Sequence, residues 1–131
     1  MANRVVHFEI EAKDKERAKK FYSTVFGWKA EQMGADFGNY IVVTTGDPKE
    51  PGGINGGIFE TPAKKALNAF RCVIGVENIQ TAMANVKSAG GKLLTDKPDD
   101  IPGVGIFANC EDPEGNRFSL LQPSPDMQPK S

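Results

Sequence analysis

Two short segments, Val5–Ile10 and Phe70–Gly75, alternate between apolar and other residues, which is the period of a strand with one face in a core. Each is followed by apolar residues at the spacing of one helical face: Ala18, Phe21, Tyr22 and Val25 in the first case, and Ile79, Ala82, Met83 and Val86 in the second. Asp14 and Asn78 precede these stretches as N-caps, and Gly27 and Gly90 follow them as helix stops. The pattern predicts two strand–helix pairs.

The two pairs recur at an offset of about 64 residues, and three strand candidates follow each helix. In the first half these are 28–33, 39–45 and 54–60, and in the second 92–95, 104–110 and 116–122. We therefore predict an α+β fold of two tandem βαβββ units, with curved mixed sheets around a cleft and helices on the outer faces. The domain spans 1–123, with halves at about 4–60 and 69–122, and the Pro-rich segment 124–131 is predicted to be a flexible tail.

Strand alternation separates a core face from a free face. If Val6, Phe8 and Ile10 pack on the first helix, His7 and Glu9 lie on the opposite side. If Phe70, Cys72 and Ile74 pack on the second helix, Arg71 does the same. Asn55 and Ser119 lie on the last strand of each half. A mostly apolar cleft with a few converging polar groups is typical of a small-molecule site.

Charge and cysteine content exclude several classes of function. Lys and Arg (16) nearly balance Asp and Glu (17), so we expect no nucleic-acid partner. No apolar run approaches the length of a membrane span, so we expect no membrane partner. Two cysteines without a CxxC motif favour a reduced, cytoplasmic protein. The glycine-rich GGINGG lacks the spacing of a phosphate loop and indicates tight packing or close approach of the backbone to a ligand.

Four stretches resemble the vicinal oxygen chelate superfamily, which includes glyoxalase I, extradiol dioxygenases and bleomycin-resistance proteins. They are HFEIEAKDKERAKKFYSTVFGW, GGINGGIF, VENIQTAMANVKSAGGK and DIPGVGIFANCEDPEGNRFSLLQP, and together they cover nearly the whole chain. The resemblance implies a homodimer that binds a small molecule in its cleft, and it is greatest to small bacterial glyoxalase-related proteins.

Metal-dependent members of this superfamily place ligands on the first and last strands of each half. Those positions correspond here to His7, Asn55, Arg71 and Ser119, of which only His7 is a plausible ligand. Arginine would bring a positive charge beside the ion, and His7 is the single histidine of the chain. We therefore expect no metal and no other cofactor. A shifted register at Asn55, or a contribution from Glu9, would restore a divalent-metal site.

Three functions remain open. The first is a metal-independent site for an oxygenated or anionic metabolite, in which Arg71 holds an anion while His7 and Glu9 transfer protons, with Asn55 and Ser119 as ligand contacts. The second is a metal-dependent lyase or dioxygenase of the glyoxalase type. The third is a binding protein that sequesters its ligand, as in antibiotic resistance, by stacking it on aromatic side chains: Trp28, Phe37, Tyr40, Phe59 and Phe107. An ordinary Glu9–Arg71 ion pair and ordinary core packing of the aromatics are the structural alternatives.

Overall fold

The computed structural model describes residues 3–50, 52–62, 64–65 and 69–125. The helices are α1 (Lys15–Phe26) and α2 (Ile79–Ser88), and a 3-10 turn covers Ala35–Phe37. The strands are β1 (Arg4–Ala12), β2 (Lys29–Gln32), β3 (Ile41–Thr44), β4 (Gly56–Glu60), β5 (Phe70–Gly75), β6 (Lys92–Leu93), β7 (Asp99–Ile101), β8 (Gly105–Glu111) and β9 (Arg117–Pro123). The α+β class and the two βαβββ repeats are confirmed.

The chain divides into two compact units, and the division falls within β1 and β5. The N-terminal unit is His7–Arg71, where the strand order is β2-β3-β4-β1 and β1 runs parallel to β4. The C-terminal unit contains the described residues of Met1–Val6 and Cys72–Ser131. Its strand order is β5-β9-β8-β6, β5 runs parallel to β9, and β7 pairs with β8. Each unit therefore contains both parallel and antiparallel strand pairs.

The core of the N-terminal unit lies between its sheet and α1. Five buried residues come from three strands: Ile10, Ala12, Ile41, Val43 and Ile58. Phe8, Ala18, Tyr22, Trp28 and Ala30 pack around them. The prediction that Phe8 and Ile10 face the first helix is confirmed, whereas Val6, which the same pattern places in the core, is 40% exposed.

The core of the C-terminal unit lies between its sheet and α2. Its buried members are Val76, Ile79, Met83, Ala108, Cys110 and Leu120. The predicted stripe on α2 is confirmed, because Ala82 and Val86 complete this packing, as does Ile74. The prediction is wrong for Cys72, which is exposed. It is also wrong for Phe70, which belongs to the N-terminal unit, where its ring lies beside Phe8 and Tyr22.

The helix ends follow the predicted capping chemistry. The carboxylate of Asp14 accepts from the Arg17 amide at 3.1 Å, and the side chain of Asn78 accepts from the Thr81 amide at 3.0 Å. Each side chain satisfies an amide of the first turn that has no partner within the helix. Gly27 ends α1 at a φ of 72°, a left-handed conformation that is least costly for glycine.

Two details of the predicted elements are wrong. On α1 only the row Ala18–Tyr22 packs on the sheet, while Phe21 and Val25 are 55% and 54% exposed. A spacing of three or four residues identifies a helical face but not which edge of that face meets the sheet. Strand β7 falls in a segment predicted to be a breaker, because Asp99 and Asp100 have low strand propensity and pair only along β8.

Some predictions fall outside the described residues. The end of the predicted tail, 126–131, and half of the segment between the halves, 63 and 66–68, are among them. At the start of the predicted tail, the Ser124 amide donates to the Val104 carbonyl at 2.9 Å. Neither described helix is long and apolar enough to cross a membrane.

The cap on α2 gives a stability prediction. We expect Asn78→Ala to lower the free energy of unfolding by about 1 kcal/mol, because the Thr81 amide loses its acceptor. Urea unfolding followed by circular dichroism measures this. Asn85→Ala is the matched control, since Asn85 is exposed in the interior of the same helix. Equal losses for the two variants would contradict the role of Asn78 as a cap.

Candidate functional site

The face of the N-terminal sheet that points away from α1 carries several half-buried titratable side chains. Because Phe8 and Ile10 pack toward α1, the intervening His7 and Glu9 lie on the opposite side of β1. The same alternation puts Tyr40 there, since Ile41 and Val43 belong to the core. We call this surface the polar face and define it by five residues: His7, Glu9, Tyr40, Phe59 and Arg71.

Tyr40 is the central contact of the polar face. Its hydroxyl oxygen lies 2.9 Å from Nε2 of His7, and the two rings are stacked with centroids 6.4 Å apart. The Tyr40 side chain also hydrogen bonds with the carboxyl group of Glu9. One phenol therefore joins the two titratable groups of β1, although it lies more than thirty residues away along the chain.

Two adjacent glycines allow close approach on both sides of β4. A side chain at Gly56 would overlap the ring of Phe8 on the core side. A side chain at Gly57 would overlap the hydroxyl and ring of Tyr40 on the polar face. The predicted tight packing of this glycine-rich stretch is confirmed at both positions, and the groups that approach are Phe8 and Tyr40.

Burial shifts the pKa values of all three connected groups toward their neutral forms. Desolvation raises the pKa of Glu9, an effect that the Tyr40 hydrogen bond and the positive charge of Arg71 offset only in part. Desolvation lowers the pKa of His7. Burial, followed by the nearby charge of Glu9, raises the pKa of Tyr40 far above its ordinary range. The imidazole is consequently neutral near pH 7, and the carboxylate is a stronger base than a solvated one.

Arg71 supplies the positive charge of the polar face. Its guanidinium carbon lies 5.3 Å from the centroid of the Phe59 ring, which is within cation–π range. The charge acts on Glu9 through space, and within the described residues the two groups form no direct ion pair at hydrogen-bonding distance. The guanidinium donors are therefore not occupied by the expected Glu9–Arg71 pair.

The other predicted ligand contacts have different surroundings. The side-chain oxygen of Asn55 accepts from the Thr45 amide at 2.9 Å, so Asn55 ties the end of β3 to the segment before β4. Trp28 stacks on Tyr22 at a centroid separation of 5.2 Å, on the side of the sheet that faces α1. Neither contact belongs to the polar face.

Ser119 and Phe107 lie in the C-terminal unit. The hydroxyl of Ser119 is fully buried and donates to the Asn109 side-chain oxygen at 2.7 Å. The amide of Asn109 donates in turn to the Thr95 hydroxyl at 3.1 Å. Phe107 alternates with Ala108 of the core on β8, so its half-buried side chain shares the face of Asn109. The predicted alternation therefore holds on this strand as well.

The titratable groups of the polar face do not line the surface depressions described here for the N-terminal unit. One depression lies between the end of β1 and α1, lined by Ala12, Lys13, Asp14, Arg17, Ala18, Phe21 and Tyr22. A second lies along α1 itself. The three groups whose pKa values burial shifts, His7, Glu9 and Tyr40, lie on the polar face, so we assign the candidate site to the polar face.

The four positions that correspond to metal ligands in the superfamily do not form a suitable donor set. Nε2 of His7 is already bonded to Tyr40, the oxygen of Asn55 to Thr45, and the hydroxyl of Ser119 to Asn109. The fourth position is the cation Arg71. In the part of the chain that the structure describes, no three His, Cys, Asp or Glu residues cluster as a divalent ion would need.

Comparison with known proteins places the chain in a family. Residues 4–46 match the family model described as bleomycin resistance protein-like N-terminal. A glyoxylase-like domain-containing protein of Didymella fabae is 34% identical over 116 residues, which cover 86% of this chain and 88% of the relative. CFP32 of Mycobacterium tuberculosis, whose name describes it as a glyoxylase candidate, is 34% identical over 111 residues.

The lengths of these relatives differ. The match to CFP32 covers 84% of this chain but only 40% of the relative, so this chain spans less than half of that protein. Among solved structures, a methylmalonyl-CoA epimerase in complex with methylmalonyl-CoA and NH4+ superposes with a TM-score of 0.70. The superposition covers 98% of this chain and 100% of that chain at 16% identity, which shows a shared fold. By these sequence and fold relationships, the chain belongs to the vicinal oxygen chelate superfamily, the family of glyoxalases and bleomycin-resistance proteins.

Proposed function

We propose that this chain binds a small anionic, oxygenated metabolite on the polar face and moves a proton on it without a metal ion. Glu9 acts as the general base, and Arg71 holds the anion. The observation that carries this proposal is the desolvated carboxylate of Glu9, bonded to Tyr40 and lying near a cation that forms no direct pair with it.

The environment of Glu9 suits proton abstraction from carbon. A general base works best when its pKa lies near the working pH, and burial moves the pKa of Glu9 in that direction. In the proposed step, a C–H bond next to a carbonyl breaks, an O–H bond forms on Glu9, and the electron pair moves onto the carbonyl oxygen as an enolate. Return of the proton to the carbon restores the carboxylate, so the step needs no oxidant or reductant.

Arg71 suits the charge that this step creates. Its guanidinium rests on the Phe59 ring, which limits its conformations. A fixed cation stabilises a developing oxyanion, which is the task that a metal ion performs in metal-dependent enzymes. The methylmalonyl-CoA epimerase named above supports the choice of a carbon acid as the first probe, because its bound molecule carries a carboxylate and an acidic C–H.

The first test measures proton exchange at carbon. The EDTA-treated protein is incubated in D2O with methylmalonyl-CoA or 2-oxobutyrate, and loss of the C–H signal is followed by proton NMR. We expect exchange above the protein-free rate with at least one probe, and a loss of about a hundredfold in Glu9→Gln. Glu31→Gln, on exposed β2, is the matched control.

Two outcomes of the exchange test count against the proposal. Exchange that requires added divalent metal would favour the metal-dependent lyase or dioxygenase instead. Binding of both probes with no exchange in either would favour a ligand-sequestering protein.

The second test compares Arg71, the proposed anchor of the anion, with His7. By isothermal titration calorimetry with methylmalonyl-CoA, we expect Arg71→Ala to weaken binding by about tenfold or more, because the anion loses its charged partner. His7→Ala should have a smaller effect, since a neutral imidazole offers no charge to the anion. Arg17→Ala on α1 controls for the loss of one positive charge. Equal, small effects of Arg71→Ala and His7→Ala would refute the anchor.

The third test concerns stability. Because the folded pKa of Glu9 is raised, burial penalises its charge fully above that pKa, and the penalty fades as pH falls toward the unfolded value of 4.5. We therefore expect Glu9→Gln to raise the free energy of unfolding near pH 8, and to raise it by less near pH 5. Glu31→Gln should change little at either pH. Urea unfolding at both pH values measures the difference, and a loss of stability near pH 8 would contradict the assigned shift.

A further inference from the structure

We propose that Tyr40 fixes the tautomer of His7, so that Nε2 carries the hydrogen and Nδ1 is the free acceptor. Tyr40 can occupy its position because Gly57 has no side chain. Tyr40 is then a positioning residue for His7, and Gly57 is a positioning residue for Tyr40. The inference rests on the proposed function only where it says which ligand group meets His7. The tautomer itself is a property of the protein without its ligand.

The tautomer follows from counting hydrogens. A phenol has one hydrogen to donate, an ionised carboxylate has none, and a neutral imidazole has one. Tyr40 contacts both Glu9 and Nε2 of His7. With Glu9 ionised, its contact with Tyr40 is a hydrogen bond only if the phenol donates. The phenol oxygen must then accept from His7, which requires the hydrogen on Nε2.

The remaining nitrogen of His7 determines what the polar face offers a ligand. Within the described residues, Nδ1 has no hydrogen-bond partner. A neutral imidazole with its hydrogen on Nε2 presents Nδ1 as a lone pair, so it accepts from an O–H or N–H group or takes up a proton there. The complementary group on a ligand is therefore a hydrogen-bond donor and not an anion, which assigns the anion to Arg71.

Gly57 permits this arrangement because it leaves room for the Tyr40 phenol, and not because of its backbone conformation. Its φ lies outside the left-handed region, so any residue could adopt its backbone conformation. A side chain there would occupy the position of the Tyr40 hydroxyl. Gly57 is also the register partner of Glu9 across β4 and β1, so displacement of the phenol by Gly57→Ala would break its contacts with both Glu9 and His7.

The test uses the single histidine of the chain as its own reporter. The protein is labelled with 15N-histidine and studied without ligand at about pH 8, because a pH well above the ordinary pKa of a carboxyl group favours the ionised form of Glu9. The 15N shifts of the two ring nitrogens identify which one carries the hydrogen. We expect it on Nε2, with an N–H signal protected from exchange with water. We expect Tyr40→Phe to accelerate that exchange by about tenfold, the loss of one hydrogen bond.

Matched controls separate positioning from general loosening. Tyr22→Phe removes the hydroxyl of the other tyrosine, whose ring packs in the core beside Trp28. Gly46→Ala adds a methyl group where nothing lies within contact distance and φ is ordinary. Both controls should retain the protected Nε2–H signal, whereas Gly57→Ala should lose it. Circular dichroism checks that each variant is folded.

Three results would overturn the inference. They are a hydrogen on Nδ1 in the unmodified protein, unchanged exchange in Tyr40→Phe, or equal loss of protection in Tyr22→Phe. Tyr40→Phe carries the test if Gly57→Ala does not fold. Because every measurement is made without ligand, failure of methylmalonyl-CoA to exchange its proton would refute the proposed function and leave the tautomer assignment standing.

Discussion

The alternation of side chains along β1 is the constraint on which the rest of the N-terminal unit depends. A shift by one residue would bury His7 and Glu9 under α1 and expose Phe8 and Ile10. The register with β4 prevents this shift, because Phe8 lies opposite Gly56 and Glu9 lies opposite Gly57. Each glycine accommodates the large ring on its own side of the sheet. The core and the polar face are thus set by one register, and neither could change without the other.

The parts of the structure that the sequence predicts are those that local chemistry decides. Strand alternation, the caps Asp14 and Asn78 and the 64-residue repeat are each read within one element or by comparing two. The contact of Tyr40 with His7 is different, because it depends on β3, β4 and β1 lying in that order in space. The sequence identified Tyr40 as an aromatic that could stack on a ligand but gave no signal that its hydroxyl would meet β1.

The same limit explains the predicted contacts that lie elsewhere. Asn55 follows the strand pattern of β4, but the strand begins one residue later, which leaves its side chain free to bond to Thr45. The sequence shows only that Trp28 has a large aromatic ring, and an indole beside a helix end is equally suited to a core. Residue type indicates what a side chain can do, whereas only the packing of neighbouring elements shows which of its possible partners it meets.

The two repeats keep the same elements but use their non-core faces differently. At the offset of 64 residues, Glu9 corresponds to Val73, which is fully buried. The polar groups of that face in the C-terminal unit satisfy one another, with Ser119 donating to Asn109. The carboxylate of Glu9 therefore has no counterpart at this position of the C-terminal unit.

Two carboxylates of this chain show opposite uses of the same group. Asp112 accepts from the backbone and side chain of Asn116 and from the amide of Glu114, and these hydrogen bonds lower its pKa while they hold the turn before β9. Glu9 has one hydrogen-bonding neighbour and a cation at a distance, which is too little to offset its desolvation. A carboxylate whose charge is stabilised is suited to holding structure. A carboxylate whose charge is destabilised by burial becomes more stable when it accepts a proton. This stabilisation favours a reaction only if the proton comes from a bound ligand.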